Sequence, residues 1–295
     1  MMMFSNKKPF VLLFLQLLLV TGYAQEFTDD AKINAGFLKS VDSLLSRVKT
    51  VTMEDAKKAL GAPSLSVAAG LVKPSTKPVP ANMLYEKAKK ATVMVGCIYL
   101  CPRCSNTHIS ESSGYVIDPK GIVVTNYHVA ATYANMSGGN KPLGFTVRME
   151  DGATYAVQSV LTASKKDDLA LLQLETGGAV LPALALGKPA KTGDEIFVLG
   201  HPKGMHYFFS RGHVVNKYME EVNGDTGSFF REMMAISADY ATGSSGGPVM
   251  DVYGNIVGTV SNTRMLLHSE TNQSVQMVVK NTVPVESLLK LVHKE

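Results

Sequence analysis

The chain has 295 residues, of which 45% are hydrophobic and 18% charged, a balance that suits a folded globular protein with a sizeable core. Its formal net charge is +4, and Lys7 and Lys8 supply two of those charges. The remainder is too weak and too dispersed to indicate nucleic acid or an anionic membrane as a partner. Lys7 and Lys8 begin a basic region, Phe10 to Val20 form an apolar run, and Gly22-Tyr23-Ala24 reads as a small-residue cleavage site. Residues 1–24 are therefore expected to be a signal peptide cut after Ala24. The apolar run is short and contains Gln16, so no stable membrane insertion is expected. Residue 25 is Gln rather than a lipid-accepting Cys, and the mature chain is expected in the periplasm or outside the cell.

Residues 25–61 read as a helical segment. Ile33, Phe37, Val41, Leu44 and Val48 recur at helical spacing and mark one apolar face, with Thr28, Asp29 and Asp30 as cap and first-turn residues. A second short helix runs from Thr52-Met53-Glu54-Asp55 to Leu60 and stops at Gly61. The segment is open to three readings: a pro-segment, an arm for self-association, or a cap on the following domain. Residues 62–82 hold Pro63, Pro74, Pro78 and Pro80 among small residues and read as a linker. From residue 83 a short helix (Met83 to Lys90) leads into a mostly β pattern, with Gly, Asn and Asp turns such as Asp151-Gly152 and Gly254-Asn255. No fixed-period repeat is visible.

Three cysteines lie close together, Cys97, Cys101 and Cys104, with Cys101-Pro102-Arg103-Cys104 bracketing a turn. With His108 they make a possible zinc set. On extended strands, however, Cys97 and His108 each fall about 13 Å from the Cys-x-x-Cys pair. The expectation is a Cys101–Cys104 disulfide in an oxidising compartment, Cys97 as a buried thiol, and no metal.

Three further segments carry chemistry. Gly121 to Ala130 runs from a turn glycine through a buried-strand pattern into His128. Lys166-Asp167-Asp168-Leu169-Ala170-Leu171-Leu172 sets Asp168 at the head of another apolar strand, with Asp167 as a cap or surface charge. Thr242-Gly243-Ser244-Ser245-Gly246-Gly247-Pro248 places a serine between glycines. A serine hydroxyl is inert at neutral pH unless a base and oxyanion donors stand beside it. Gly243 to Gly247 fits the nucleophile elbow of α/β-hydrolases as well as the G-x-S-G-G loop of trypsin-like proteases. The elbow requires the order serine, acid, histidine and a helix after the serine. Here the order is His128, Asp168, Ser245, and Val249 to Val260 read as strand, Tyr-Gly-Asn turn and strand.

T-N-x-H-V, D-L-A-L-L and G-S-S-G-G-P, in that order, resemble the bacterial trypsin-like serine proteases of the high-temperature-requirement (Do/Deg) type. Leu186-Gly187, Gly193 to Gly204 and Ser210-Arg211-Gly212-His213-Val214-Val215 are similar to further stretches of that family. The resemblance covers roughly residues 83 to 290. It implies a mainly β protein of two antiparallel, chymotrypsin-type β-barrels over residues 83–295, closed by a helix at Val283 to Lys290. With only five residues beyond Lys290, no PDZ domain is expected.

The resemblance also implies a serine endopeptidase acting on protein or peptide substrates without a cofactor. Ser245 would be the nucleophile, His128 the base and Asp168 its orienting acid. The N–H groups of Gly243 and Ser245 would form the oxyanion hole. Asp239 sits where trypsin resemblance places the acid that binds Lys or Arg; a structural carboxylate bonded to loop amides is the alternative. Thr259-Val260-Ser261 would offer the edge to which a substrate strand pairs. His201 and His213 read as structural. The alternative function is a latent or inactive protease-fold protein that serves as a binding or chaperone module, and homo-oligomerisation stays open.

Overall fold

The structure is a computed structural model that describes residues 27–104, 106–224 and 227–295. The expected signal peptide lies outside the described residues. Helix α1 (Asp30–Leu45) starts where the Asp29 carboxylate accepts the N–H of Lys32 at 2.9 Å. Its Phe37 and Val41 are buried against Met94 and Ile98 of the first barrel. The helix ends at Leu45, so Val48, expected on the same apolar face, lies beyond it. Helix α2 (Met53–Gly61) is capped by Thr52, whose Oγ1 accepts the N–H of Asp55 at 3.1 Å, and it buries Ala56 and Leu60.

The proline-containing stretch 62–82 runs from the first barrel to the second and is pinned along the way. Ser64 Oγ donates to Ala163 O, and the N–H of Gly70 donates to Asp118 Oδ2 at 2.7 Å. Ser75 exchanges two hydrogen bonds with the Asn255 amide, and the N–H of Val79 donates to Val252 O. Within the stretch, strand β1 (Val67–Ala69) interrupts the irregular backbone, and helix α3 (Ala81–Ala91) follows.

The first barrel comprises β2 (Thr92–Leu100), β3 (Thr107–Asp118), β4 (Ile122–Thr125), β5 (Lys141–Arg148), β6 (Thr154–Ser164) and β7 (Leu169–Glu175). It closes in the order β2-β3-β4-β7-β6-β5. Helix α4 (Tyr127–Ala134) leaves the end of β4. Strand β4 and the first four residues of β7 are buried at every position, which explains their continuous apolar runs.

The second barrel comprises β8 (Glu195–Gly200), β9 (Phe208–Gly224), β10 (Gly227–Ile236), β11 (Pro248–Met250), β12 (Ile256–Leu267) and β13 (Val275–Pro284). It closes in the order β10-β13-β12-β11-β8-β9. The protein is thus mainly β, with the chymotrypsin-type double barrel that the sequence motifs imply. The closing helix is shorter than its apolar pattern suggests. Val283 and Pro284 complete β13 opposite Thr259 and Gly258, and helix α5 spans only Val285–Leu289. Strand β14 (Val292–Lys294) then pairs in parallel with β1.

The barrels meet through buried polar contacts. Tyr115 Oη of β3 and Thr259 Oγ1 of β12 lie 2.7 Å apart, and the N–H of Ser113 donates to Ser245 O at 2.9 Å. These contacts set the β4–α4 corner of one barrel against the loop before β11 of the other.

Candidate active site

His128 stands in the first turn of α4, and Asp168 occupies the turn that leads into β7. Asp168 adopts a left-handed backbone, φ 53°, an uncommon conformation for a non-glycine residue that is often held at functional sites. Its carboxylate faces the N-terminus of α4. Oδ1 accepts the N–H of His128 at 3.1 Å, and His128 Nδ1 lies 2.9 Å from Oδ1 and 3.0 Å from Oδ2. The free N–H groups at a helix N-terminus favour negative charge there. Asn126 Nδ2 donates to Asp168 O at 2.8 Å and fixes the turn. The Asp168 side chain is 10% exposed and that of His128 49%, so a shielded acid holds an imidazole that is open to solvent. Bonding at Nδ1 leaves Nε2 as the basic nitrogen.

The serine loop comes from the opposite barrel. Ser244 is 1% exposed and its hydroxyl finds no partner among the described residues, whereas Ser245 lines a cleft of about 520 Å³ together with His128 and Asp168. The Ser245 hydroxyl donates to Ser261 O at 3.1 Å. Two glycines allow the loop to run so close to its neighbours. Gly243, φ 99°, would place a Cβ 2.5 Å from His201 O, and at Gly246, φ 84°, a Cβ would collide with Ser113 O.

The loop is held at both faces. The N–H of Lys203 donates to Thr242 O at 2.8 Å, and Ser113 Oγ donates to Gly243 O at 2.8 Å. A trans peptide points its C=O and N–H in opposite directions. With Thr242 O engaged by Lys203, the N–H of Gly243 faces away from that contact. The N–H groups of Gly243 and Ser245 have no acceptor among the described residues.

The residues expected to contact substrate divide. Ser261 lines the cleft beside Asn262 and Thr263, and its hydroxyl donates to Asp168 Oδ2 at 2.7 Å. Thr259 and Val260 do not line it. Thr259 is buried against Tyr115, while Val260 gives its N–H to Gly247 O and accepts from the N–H of Gly246. Strand β11 covers β12 only at Ile256 to Thr259, so the open edge begins at Ser261. Asp239 also stands away from the cleft. Its side chain is 81% exposed, 3.6 Å from Lys280 Nζ, and its carbonyl accepts from Ser210 Oγ. The position inferred from trypsin resemblance fails because the 237–242 loop turns this carboxylate towards β13.

The cysteine expectation also needs correction. Cys101 and Cys104 carry free thiols, and His108 Nε2 lies 2.9 Å from Cys104 Sγ rather than far along an extended strand. The β2–β3 hairpin closes with Leu100 opposite Thr107 and Tyr99 opposite His108, which folds the imidazole back over the turn. Cys97 does point elsewhere. It is buried, its thiol 4.0 Å from Val129 O, and burial pushes its pKa up to about 12.

Several residues around the site escaped the sequence reading. Ser113 ties the serine loop to β3; its only signal is its place at the end of the polar run Ser110-Glu111-Ser112-Ser113, where the strand turns apolar after Gly114. His206, buried beside the 201–204 turn, joins α1 to the site. Its Nδ1 lies 2.9 Å from Asp30 Oδ1, its Nε2 3.2 Å from Glu111 Oε2, and its N–H also donates to Asp30. Burial opposes the charge on His206, but the two carboxylates outweigh it and raise its pKa above the ordinary value. Neighbouring His201 is driven the other way, down to about 3, by burial and by His206. It stays neutral, with Nδ1 accepting the N–H of Tyr207 at 3.2 Å.

Residues 112–258 match the model of the trypsin-like peptidase domain. Protease Do-like 5, chloroplastic, of Arabidopsis thaliana is 27% identical over 222 residues, covering 71% of this chain and 67% of that protein. Serine protease Rv3671c of Mycobacterium tuberculosis (strain ATCC 25618 / H37Rv) is 31% identical over 166 residues, which are 55% of this chain but only 38% of the relative. The crystal structure of Deg5 shares the fold with a TM-score of 0.54 at 24% identity, over 71% of this chain and 90% of that one. The chain carries a trypsin-like peptidase domain and is homologous to the serine proteases of the Do/Deg/HtrA type. It spans about two thirds of the first relative's length and well under half of the second's.

Proposed function

We propose that the protein is a serine endopeptidase that cleaves protein substrates through an acyl-enzyme. The observation that carries this reading is the cleft in which Ser245 meets His128, whose Nδ1 is engaged by the Asp168 carboxylate. In the reaction, Ser245 Oγ attacks the scissile carbonyl and its proton passes to His128 Nε2. The carbonyl oxygen gathers negative charge against the N–H groups of Gly243 and Ser245, a contribution of about 3 kcal/mol per donor. The C–N bond then breaks, and His128 returns the proton to the leaving amine. Water repeats the sequence with the ester, releasing the acid and restoring Ser245. Asp168 holds the tautomer and offsets the charge on the imidazolium.

Substrate would pair as a strand with the open edge of β12 from Ser261 onward, through main-chain bonds that are largely independent of sequence. Its N–H would compete for Ser261 O, the acceptor that now holds the Ser245 hydroxyl, and free that hydroxyl to turn towards His128. Arg231 and Tyr240 also line the cleft and bound the side-chain pocket. No helix among the described residues is long and apolar enough to cross a membrane. The leader-like residues 1–24 and the similarity to a probable periplasmic DegP-like endoprotease of Rickettsia prowazekii support a periplasmic or secreted protein.

The bond from Ser245 to Ser261 O also favours a second reading, a latent protease that rests with its hydroxyl parked. Hydrolysis of an unfolded protein by wild type and by Ser245→Ala separates the cases. Turnover that disappears in the variant supports the enzyme. Binding without turnover in both supports the binding module.

A further inference from the structure

The tip of the β2–β3 hairpin gathers three side chains that the proposed hydrolysis does not use. Cys101 Sγ, Cys104 Sγ and a ring nitrogen of His108 all lie within 4.8 Å of one another. We propose that this tip is a binding site for a thiophilic d¹⁰ divalent cation, Zn²⁺ in particular. Cys101 Sγ, Cys104 Sγ and His108 Nε2 are its protein ligands, and a fourth position is open to water or an external donor.

Three observations besides proximity support a built site. The first is the turn itself: the N–H of Cys104 reaches back to Cys101 O at 3.4 Å, and the N–H of Arg103 donates to Cys101 Sγ at 3.4 Å. That contact fixes the direction of the Cys101 sulfur within the turn. The second is the placement of the imidazole. His108 is positioned by the ladder pairing that sets it opposite Tyr99, and its ring stacks on Tyr99 at 5.4 Å between centroids with 23° between planes. Ligand rings held by their surroundings lose little freedom on binding. The third is size. Zinc–ligand bond lengths at tetrahedral angles require about 3.8 Å between sulfurs and about 3.6 Å between sulfur and nitrogen. All three ligand atoms lie within 4.8 Å of one another and Cys104 Sγ is 2.9 Å from His108 Nε2, so small torsions of these partly exposed side chains suffice.

Cys97 is not a ligand, because it is buried on the barrel side, near Val129 O. On binding, two thiols release two protons to solvent and the neutral imidazole donates a lone pair, so the centre of Zn²⁺ with two thiolates carries no net charge. No redox step is involved. His108 also lines a groove together with Thr242 and Gly243 of the serine loop, so an ion held here would fix one residue of that groove.

The test uses the purified full chain, reduced and then freed of metal, and titrated with Co²⁺. The expected result is one equivalent bound, with thiolate-to-cobalt charge-transfer absorption and the intense visible bands of tetrahedral cobalt, both abolished by one equivalent of Zn²⁺. Cys101→Ser, Cys104→Ser and His108→Ala should each weaken binding about a hundredfold or more. All three positions are at least partly exposed, and unchanged melting would show that the fold is intact. Absence of the charge-transfer band, or the same band and affinity in Cys104→Ser, would overturn the site. So would isolation of the native protein as a metal-free Cys101–Cys104 disulfide. These readouts do not depend on hydrolytic activity.

Discussion

Ser261 donates its hydroxyl to Asp168 Oδ2 at 2.7 Å, although the serine belongs to the second barrel and the aspartate to the first. Asp168 thereby accepts from His128 and Ser261 together, so the relative position of the barrels sets the geometry of the imidazole. A hydrogen bond to a charged group contributes about 1.5–3 kcal/mol. Ser261→Ala should therefore lower kcat/KM about tenfold or more, chiefly through kcat, while Ser261→Thr retains most activity. Steady-state kinetics on a peptide substrate check this.

Ser244 and Ser245 make opposite predictions. The Ser244 hydroxyl is buried without a partner among the described residues, and such a group costs about 1–3 kcal/mol. Ser244→Ala should melt at the same or a higher temperature and keep its activity. Ser245→Ala should fold equally well and hydrolyse nothing. Calorimetry and a turnover assay on both variants provide the comparison.

The Tyr115–Thr259 bond spans the barrel interface with both groups buried, so deleting one partner strands the other. Tyr115→Phe and Thr259→Val should each destabilise by about 1–3 kcal/mol. The double variant should cost less than the sum of the two, because neither polar group is then left behind. Urea denaturation of the four proteins measures that coupling.

His206 makes the hold of α1 on the site pH-dependent. Its pKa is raised in the folded state from an ordinary 6.5. A base with a raised folded pKa contributes stability that is fully present below its unfolded pKa and is lost as pH rises through the folded value. Wild type should therefore exceed Asp30→Asn in stability most at pH below about 6.5, and the gap should narrow on the alkaline side. Buried His201 pulls stability in the opposite direction at acid pH, but it is common to both proteins and cancels in the difference. Melting temperatures between about pH 5 and 9 decide it.

The double barrel and the meeting of His128, Asp168 and Ser245 in one cleft were legible because each rests on a local motif, and chain order eliminated the competing fold. Residues whose partners lie far away in sequence were not legible. Ser113 engages Gly243 and His201, and His206 engages Asp30; nothing near any of them in the chain signals the pairing. Asp239 was misplaced because a fixed offset from the nucleophile ignores the path of the loop, which here carries the carboxylate to Lys280. The cysteine cluster was misjudged by distance along an extended strand, whereas the hairpin register returns His108 to the turn. Of the expected edge Thr259-Val260-Ser261 only Ser261 is open, because β11 and the serine loop occupy the main-chain groups of Thr259 and Val260.

The central claim, that Ser245 is a nucleophile activated by His128, is tested most directly by covalent capture. The protein is incubated with a fluorophosphonate and digested, and the adduct is located by mass spectrometry. One adduct per chain on Ser245, absent from His128→Ala and Ser245→Ala and present in Ser244→Ala, is the predicted result. No adduct on Ser245 in the wild-type protein, with or without residues 25–61, would contradict it.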